Sequence, residues 1–274
     1  MIKDIPFADP LREASLALDA AQKAGQAVMD VYATDFDSGL KDDDSPITKA
    51  DLVSNEIIKN TLKKSELPIL SEEDEDNSDR LNHERIWIID PLDGTSDFVN
   101  RTGEFTVMIG LVESNEPILG VICRPTTNTI FFAQKGKGAY KSQDDTWERL
   151  AVSRTDDLKK CKAVGSRFHL SEGEKKFFAN LGVSSFESRG SSLKAAEICM
   201  GQADLYLTTS NKIKQWDTCA SYSLVTESGG KMTDMQGKKI LYNTEKVNHE
   251  NGLLVTNGLI HESIIKQFSA YKTF

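Results

Sequence analysis

Residues 86–95 read Ile-Trp-Ile-Ile-Asp-Pro-Leu-Asp-Gly-Thr, an apolar run that ends in two carboxylates and a glycine. The apolar run predicts a buried strand, and hard divalent cations bind oxygens such as those of Asp90 and Asp93. Gly94 lets the backbone approach a ligand, and a helix that begins near Thr95 would direct free N–H groups at an anion. The segment therefore predicts a site shared by a metal ion and a phosphate group. The alternative is an ordinary Asp-rich turn after a strand.

Two other segments each place a carboxylate at the end of an apolar element. Glu72 follows the apolar residues 67–70, and Asp217 precedes the apolar stretch 220–225. Taken alone, Glu72 belongs to a solvated acidic loop and Asp217 caps a helix. Taken together, the segments predict a cage of four carboxylates: Glu72, Asp90, Asp93 and Asp217. Because no His or Cys takes part, the cage favours Mg²⁺ or Mn²⁺ over Zn²⁺.

Four segments in chain order resemble the inositol monophosphatase superfamily of Mg²⁺-dependent, lithium-sensitive phosphatases. They are Asp44-Ser45-Pro46-Ile47-Thr48-Lys49-Ala50-Asp51, Leu70-Ser71-Glu72-Glu73, residues 90–95 and residues 216–230. Within that superfamily, residues 103–107, 166–169, 190–194 and 214–220 resemble the 3'(2'),5'-bisphosphate nucleotidases. One position departs from the pattern. Thr208 stands where some of these nucleotidases have an Arg that helps to hold the nucleotide.

The resemblance implies a layered α/β fold of mixed α+β type, namely the five-layer αβαβα sandwich of the inositol monophosphatase and fructose-1,6-bisphosphatase type. The N-terminal α+β half, residues 1–150, would carry most of the metal ligands. The C-terminal α/β half, residues 151–274, would carry Asp217 and the segments that recognise substrate. The active site would then lie between the two halves.

The hydrophobic pattern predicts elements of both kinds along the chain. Apolar residues at spacings of three and four predict an amphipathic helix over residues 11–31, and the acidic residues 35–45 predict a loop. A second helix is expected to begin at Thr48, because Thr48 and Asp51 have nearly the spacing of a capping box. Residues 106–112, 117–123 and 129–133 predict a β-meander. Strand-like residues 162–164 and 205–207 then alternate with helix-like residues 171–181, 192–200 and 217–227.

The resemblance also implies how the metal site works. One Mg²⁺ would be held by Glu72, Asp90 and the backbone carbonyl of Leu92, and a second by Asp90, Asp93 and Asp217, with Asp90 as the bridge. The two ions would drive an in-line hydrolysis of a phosphate monoester. A weaker third Mg²⁺ could lie near Lys41, for which the alternative is an ordinary solvated lysine.

Catalytic and substrate-binding roles are implied for further residues. Asp51 and Thr95 would orient the attacking water and accept its proton, with helix capping by Thr48 and Asp51 as the alternative. Substrate would be bound by a second set: Gly94, Thr95, Ser166, His169, Gly190, Ser191 and Lys194.

The function expected from these residues is removal of the 3'(2')-phosphate of adenosine 3'(2'),5'-bisphosphate, which yields AMP and phosphate. The first alternative is an inositol polyphosphate 1-phosphatase or inositol monophosphatase, and histidinol phosphate is a further candidate substrate. A catalytically silent anion-binding regulatory protein is an alternative of a different class.

Composition and charge limit the partners of the protein. A formal charge of −9 does not favour binding to a nucleic acid polymer, and no apolar run approaches the roughly 20 residues of a membrane span. Residues 1–12 lack the apolar core of a secretory signal, so a cytoplasmic location is expected. Four cysteines without paired spacing favour neither a zinc site nor disulfides. The expected partner is a small phosphate ester, bound by a monomer or homodimer.

Overall fold

The computed structural model of the protein describes residues 5–40, 46–144 and 146–271. Lys41, the residue considered for a third metal, lies outside these ranges. Within them the chain forms seven α-helices: α1 (Ala14–Tyr32), α2 (Lys49–Leu62), α3 (Thr95–Val99), α4 (Glu172–Leu181), α5 (Leu193–Cys199), α6 (Cys219–Glu227) and α7 (His261–Ala270). None of the helices in the described ranges has both the length and the apolar character needed to cross a membrane.

The strands of the described residues form two large sheets and one hairpin. The hairpin pairs β1 (Ser38–Leu40) with β2 (Pro46–Thr48). The first large sheet has seven strands in sequence order: β3 (Ile69–Ser71), β4 (Arg85–Asp93), β5 (Thr106–Glu113), β6 (Glu116–Arg124), β7 (Thr129–Gln134), β8 (Gly138–Gln143) and β9 (Thr146–Arg149). Only its β3–β4 pair is parallel, so the remainder is the predicted meander.

The second large sheet is mixed and has five strands. They are β10 (Lys162–Ser166), β11 (Ser185–Arg189), β12 (Leu205–Thr208), β13 (Lys231–Thr233) and β14 (Leu253–Thr256). Their spatial order is β11-β10-β12-β14-β13. β10 runs parallel to β11 and β12, whereas β14 runs antiparallel to both of its neighbours.

Three apolar cores separate five layers. The first core joins α1 and α2 to one face of the seven-stranded sheet. The second lies between the two sheets and contains α5 and α6. The third joins the five-stranded sheet to α4 and α7. This order is the predicted αβαβα sandwich.

Two glycines let α6 lie unusually close to the centre of the seven-stranded sheet. A Cβ on Gly120 would come within 2.3 Å of the Ala220 carbonyl oxygen, and one on Gly110 would overlap Cys219. Because any side chain there would push α6 away, the two glycines set how near its first residues come to β5 and β6. The segment that carries Asp217 is thereby brought to the sheet.

Several element boundaries differ from the sequence predictions. Residues 35–45 are not entirely a loop, because Ser38–Leu40 pairs with Pro46–Thr48. β4 does not end at Asp90 but continues to Asp93 through an irregular register. Asp217 does not cap a helix: α6 begins at Cys219, and Thr218 precedes it. The four cysteines are buried and free of disulfides, as expected.

Candidate active site

Three carboxylates from separate elements converge at one edge of the seven-stranded sheet. The parallel β3–β4 register places Ser71 opposite Ile89, so that the next residues, Glu72 and Asp90, lie side by side. Asp217 joins them from the segment that leads into α6. Glu72, Asp90 and Asp217 each offer an oxygen within 4.8 Å of the others. The structure thus brings together three of the four carboxylates of the predicted cage.

Burial and mutual repulsion dominate the electrostatics of this cluster. Asp90 is 1% exposed, and its burial, followed by the charges of Glu72 and Asp93, raises its pKa well above the usual range. Burial and the charge of Glu72 raise the pKa of Asp217 in the same way. A divalent cation would relieve this repulsion, and an all-oxygen donor set suits a hard ion such as Mg²⁺. The residues present therefore fit the predicted metal.

Hydrogen bonds fix the turn that follows Asp90. The backbone N–H of Leu92 donates to Asp90 Oδ1 at 3.0 Å. Ser54 Oγ, on α2, donates to the Pro91 carbonyl at 2.6 Å, which anchors the turn to the first helical layer. Thr95 Oγ1 lies 3.1 Å from the Leu92 carbonyl oxygen and can donate its proton to it. The Leu92 carbonyl oxygen, which was predicted to be a metal ligand, therefore lies in a turn that is held by Asp90 on one side and Thr95 on the other.

Asp93, the fourth carboxylate, is tied to Ser192, the residue that precedes α5. Its Oδ2 accepts bonds from the Ser192 backbone N–H and, at 3.3 Å, from Thr106 Oγ1. The two hydroxyls of Thr106 and Ser192 lie 2.7 Å apart. Burial raises the pKa of Asp93 to about 6, although Lys194 and the Ser192 N–H lower it. Within the described residues, Asp93 is not part of the three-carboxylate group. Thr106 and Ser192 were not assigned any role from the sequence.

Asp51 makes both a capping contact and a contact with Thr95. Its Oδ2 accepts bonds from the backbone N–H and the hydroxyl of Thr48, both at 2.7 Å, which completes a capping box at the start of α2. Its Oδ1 accepts a bond from Thr95 Oγ1 at 3.0 Å. One oxygen therefore stabilises the helix while the other contacts the turn beside the carboxylate cluster.

Gly94, which follows β4, and Ser191, which precedes α5, lie against each other beside that turn. Gly94 has φ +89°, and a Cβ there would lie 3.0 Å from Ser191 Cβ. Ser191 also has a positive φ of +46°, and its buried Oγ has no hydrogen-bond partner among the described residues. Buried hydroxyls without partners are rare in folded proteins, so this one is suited to meet a ligand. Lys194 Nζ, itself buried, donates to the Ser191 carbonyl.

Ser166 and His169 lie on the segment that follows β10. The His169 backbone N–H donates to Ser166 Oγ at 3.1 Å, which forms a tight local turn. Partial burial, followed by the charges of Lys194 and Lys212, lowers the pKa of His169. The imidazole is therefore neutral at pH 7 and can either donate or accept a hydrogen bond.

A family comparison identifies the chain. The sequence model of the inositol monophosphatase family matches residues 10–273, which is nearly the whole sequence. The chain belongs to the inositol monophosphatase family. This family consists of metal-dependent phosphatases, so the predictions of the family and of a phosphoric monoester hydrolase are confirmed.

Individual members of the inositol monophosphatase family are similar over most of their length. The 3'(2'),5'-bisphosphate nucleotidase CysQ of Salmonella typhimurium is 35% identical over 241 residues, which are 86% of this chain and 96% of that protein. CysQ of Escherichia coli K12 is 37% identical over 81% of this chain and 90% of its own. The crystal structure of CysQ from Bacteroides thetaiotaomicron has a TM-score of 0.78 at 32% identity, covering 89% of this chain and 96% of that one. The predicted fold is thus confirmed.

Proposed function

We propose that the protein removes the 3'(2')-phosphate of adenosine 3'(2'),5'-bisphosphate in a Mg²⁺-dependent hydrolysis that yields AMP and phosphate. The observation that carries this proposal is the similarity to CysQ nucleotidases at 35–37% identity over more than four fifths of the chain. The buried carboxylate cluster supplies the chemical reason, because it is suited to hold the cation that such a reaction needs.

The metal-binding residues of the proposal are Glu72, Asp90, Asp93, Asp217 and the carbonyl oxygen of Leu92. Bound Mg²⁺ would lower the pKa of a water molecule and offset negative charge on the substrate phosphate. Asp93 would take part through the oxygen that does not contact Ser192. We propose that each site binds two or three Mg²⁺ ions and that Mn²⁺ can replace them.

Asp51 and Thr95 would remove the proton of the attacking water. Thr95 Oγ1 lies 3.0 Å from Asp51 Oδ1 and 3.1 Å from the Leu92 carbonyl, so its own proton can be donated to either oxygen. When Thr95 donates to Asp51, its lone pairs are available to accept the water proton while its hydroxyl proton moves to Asp51 Oδ1. The bonds from Thr48 hold the Asp51 carboxylate in place for this transfer.

Substrate would be bound where the two halves meet. The backbone N–H groups of Gly94 and Thr95 would hold the phosphate that is cleaved. Ser191, whose Oγ lacks a partner within the part of the chain that the structure describes, and Lys194 would bind the second phosphate or the ribose hydroxyls, and Gly190 would allow a close approach of the backbone. The remaining predicted contacts, Ser166 and His169, would lie against the nucleoside.

The test is a panel of phosphate esters assayed with Mg²⁺. Adenosine 3',5'-bisphosphate should have the highest kcat/KM, and inositol 1,4-bisphosphate, inositol 1-phosphate and histidinol phosphate should be poorer substrates. A higher kcat/KM for an inositol phosphate would instead favour the alternative, to which the Thermotoga maritima IMPase gives support through its TM-score of 0.79 at 28% identity. Saturable binding without release of phosphate from any ester would indicate a silent anion-binding protein.

A further inference from the structure

Arg167 joins the two halves through two carboxylates of the opposite half. It follows β10 and belongs to the segment 166–169. Its Nη2 donates to Glu104 Oε2, and its Nε lies 3.2 Å from Asp97 Oδ1. Asp97 is buried on α3, the short helix that begins at Thr95, and Thr102 Oγ1 also donates to its Oδ1 at 2.6 Å. Residues 166–169 and 190–194 are called the substrate-side segments, because both are proposed to contact substrate. The guanidinium therefore links the first of them directly to the helix that carries Thr95.

One of these carboxylates, Glu104, also holds the second substrate-side segment, 190–194, and Asp97 lies against it. The Gly190 backbone N–H donates to Glu104 Oε2 at 2.7 Å, the oxygen that Arg167 also contacts. A Cβ on Gly190 would lie 2.4 Å from Asp97 Oδ2, so only glycine permits this approach. The Arg167 N–H donates to the Arg189 carbonyl at 3.2 Å, which connects the two segments to each other. Glu104 thus binds both segments, 166–169 and 190–194, while Asp97 binds the first and packs against the second.

The charge of Arg167 is already balanced by protein groups. Two carboxylates face it, and one of them is buried. Burial would raise the pKa of Glu104, but the bonds from the Gly190 N–H and from Arg167 outweigh it and lower the pKa overall. Glu104 is therefore ionised at neutral pH. An arginine engaged in this way is poorly placed to bind a substrate phosphate in addition.

We propose that Arg167, Glu104 and Asp97 form a clasp that positions both substrate-side segments against the catalytic half. Arg167 is then a positioning residue and not a phosphate ligand. The proposal rests on the proposed function only for the choice of substrate, because any phosphate ester bound between the halves would depend on the same alignment. Breaking the clasp should weaken substrate binding and leave Mg²⁺ binding at the carboxylate cluster unchanged.

The experiment compares Arg167→Ala, Glu104→Ala and the double variant, using the phosphate ester that the wild-type protein cleaves best. Each single variant should raise KM about tenfold, while kcat stays within about twofold of wild type. The double variant should be little worse than either single one, since the two residues act through one contact. Glu104→Gln should be milder than Glu104→Ala, because both bonds end on a single oxygen that the amide can still provide. Mg²⁺ binding, measured by calorimetry without substrate, should be unchanged.

Arg85→Ala is the matched control. Arg85 also contacts two carboxylates, Glu13 and Glu113, and its side chain is 29% exposed against 32% for Arg167, but it lies at the opposite end of β4 from Asp90. Its loss should leave KM at the wild-type value.

Three results would overturn the clasp. The first is additive KM effects of the two single variants, and the second is weakened Mg²⁺ binding in Arg167→Ala. The third is a KM increase that appears in Arg167→Ala for bisphosphates alone and is absent in Glu104→Ala, which would make Arg167 a phosphate ligand. Failure of adenosine 3',5'-bisphosphate as a substrate would count against the proposed function and not against the clasp.

Discussion

Replacing Asp51 by Asn separates proton transfer from helix capping. The Asn oxygen must face Thr48, which offers two donors at 2.7 Å, so the amide NH₂ would face Thr95. Thr95 can then donate to the Leu92 carbonyl at 3.1 Å and accept from the amide, and every hydrogen bond is kept. The loss of charge should cost at most about 1 kcal/mol of the free energy of unfolding. In contrast, kcat should fall roughly 10²- to 10⁴-fold, because an amide cannot accept the proton.

Kinetics and calorimetry on the same preparation provide the measurement. Ser171→Ala is the control, because Ser171 caps α4 in a second capping box with Glu174. It should lower the free energy of unfolding by about 1 kcal/mol and leave kcat unchanged. The reasoning would be refuted if Asp51→Asn lost stability as Ser171→Ala does but kept the wild-type kcat, since Asp51 would then be only a capping residue.

Three further predictions concern the metal, pH and the substrate. Asp90→Asn should abolish turnover and the Mg²⁺-induced rise in Tm. The Tm of the metal-free variant should be as high as that of wild type, because the substitution removes a buried charge. Thermal shift assays measure both Tm values. The folded-state pKa of Asp93 is about 6 against an ordinary value of 3.8, so its contribution to stability is present at low pH and lost as pH rises through this window. The Tm of the metal-free protein should fall from about pH 4 to pH 6 more than that of Asp93→Asn. Lys194→Ala should raise KM for the bisphosphate by the equivalent of about 1.5–3 kcal/mol, and that of a monophosphate less, in steady-state assays.

Local sequence patterns were sufficient to predict most elements that position the carboxylates. The continuous apolar run before Asp90 predicts a buried strand. Thr48 and Asp51 mark the start of a helix, because their side chains can form a capping box. The error at residues 35–45 has a physical reason. Ser38–Leu40 is only three residues long and exposed throughout, and its pairing with Pro46–Thr48 depends on backbone hydrogen bonds that composition does not reveal.

Contacts between distant segments could not be predicted in this way. Asp93 meets the Ser192 N–H across 99 residues, and Arg167 meets Glu104 across 63. Each residue belongs to a segment that carries the family resemblance, but a resemblance names positions and does not say which atom faces which. The β3–β4 register, which sets Glu72 beside Asp90, is likewise a property of strand pairing. The carboxylate-bearing segments of the sequence predicted the cage, and the structure adds the hydrogen bonds that position its side chains.

The most direct test of the account is phosphate release from adenosine 3',5'-bisphosphate by protein that has been stripped of metal with a chelator and then reconstituted. The account predicts no release until Mg²⁺ is added, and 5'-AMP with one equivalent of phosphate afterwards, identified by ³¹P NMR. Ca²⁺ should bind without supporting turnover, since its looser coordination misplaces the water. Activity that Zn²⁺ restores and Mg²⁺ does not, or full activity in the stripped protein, would contradict it.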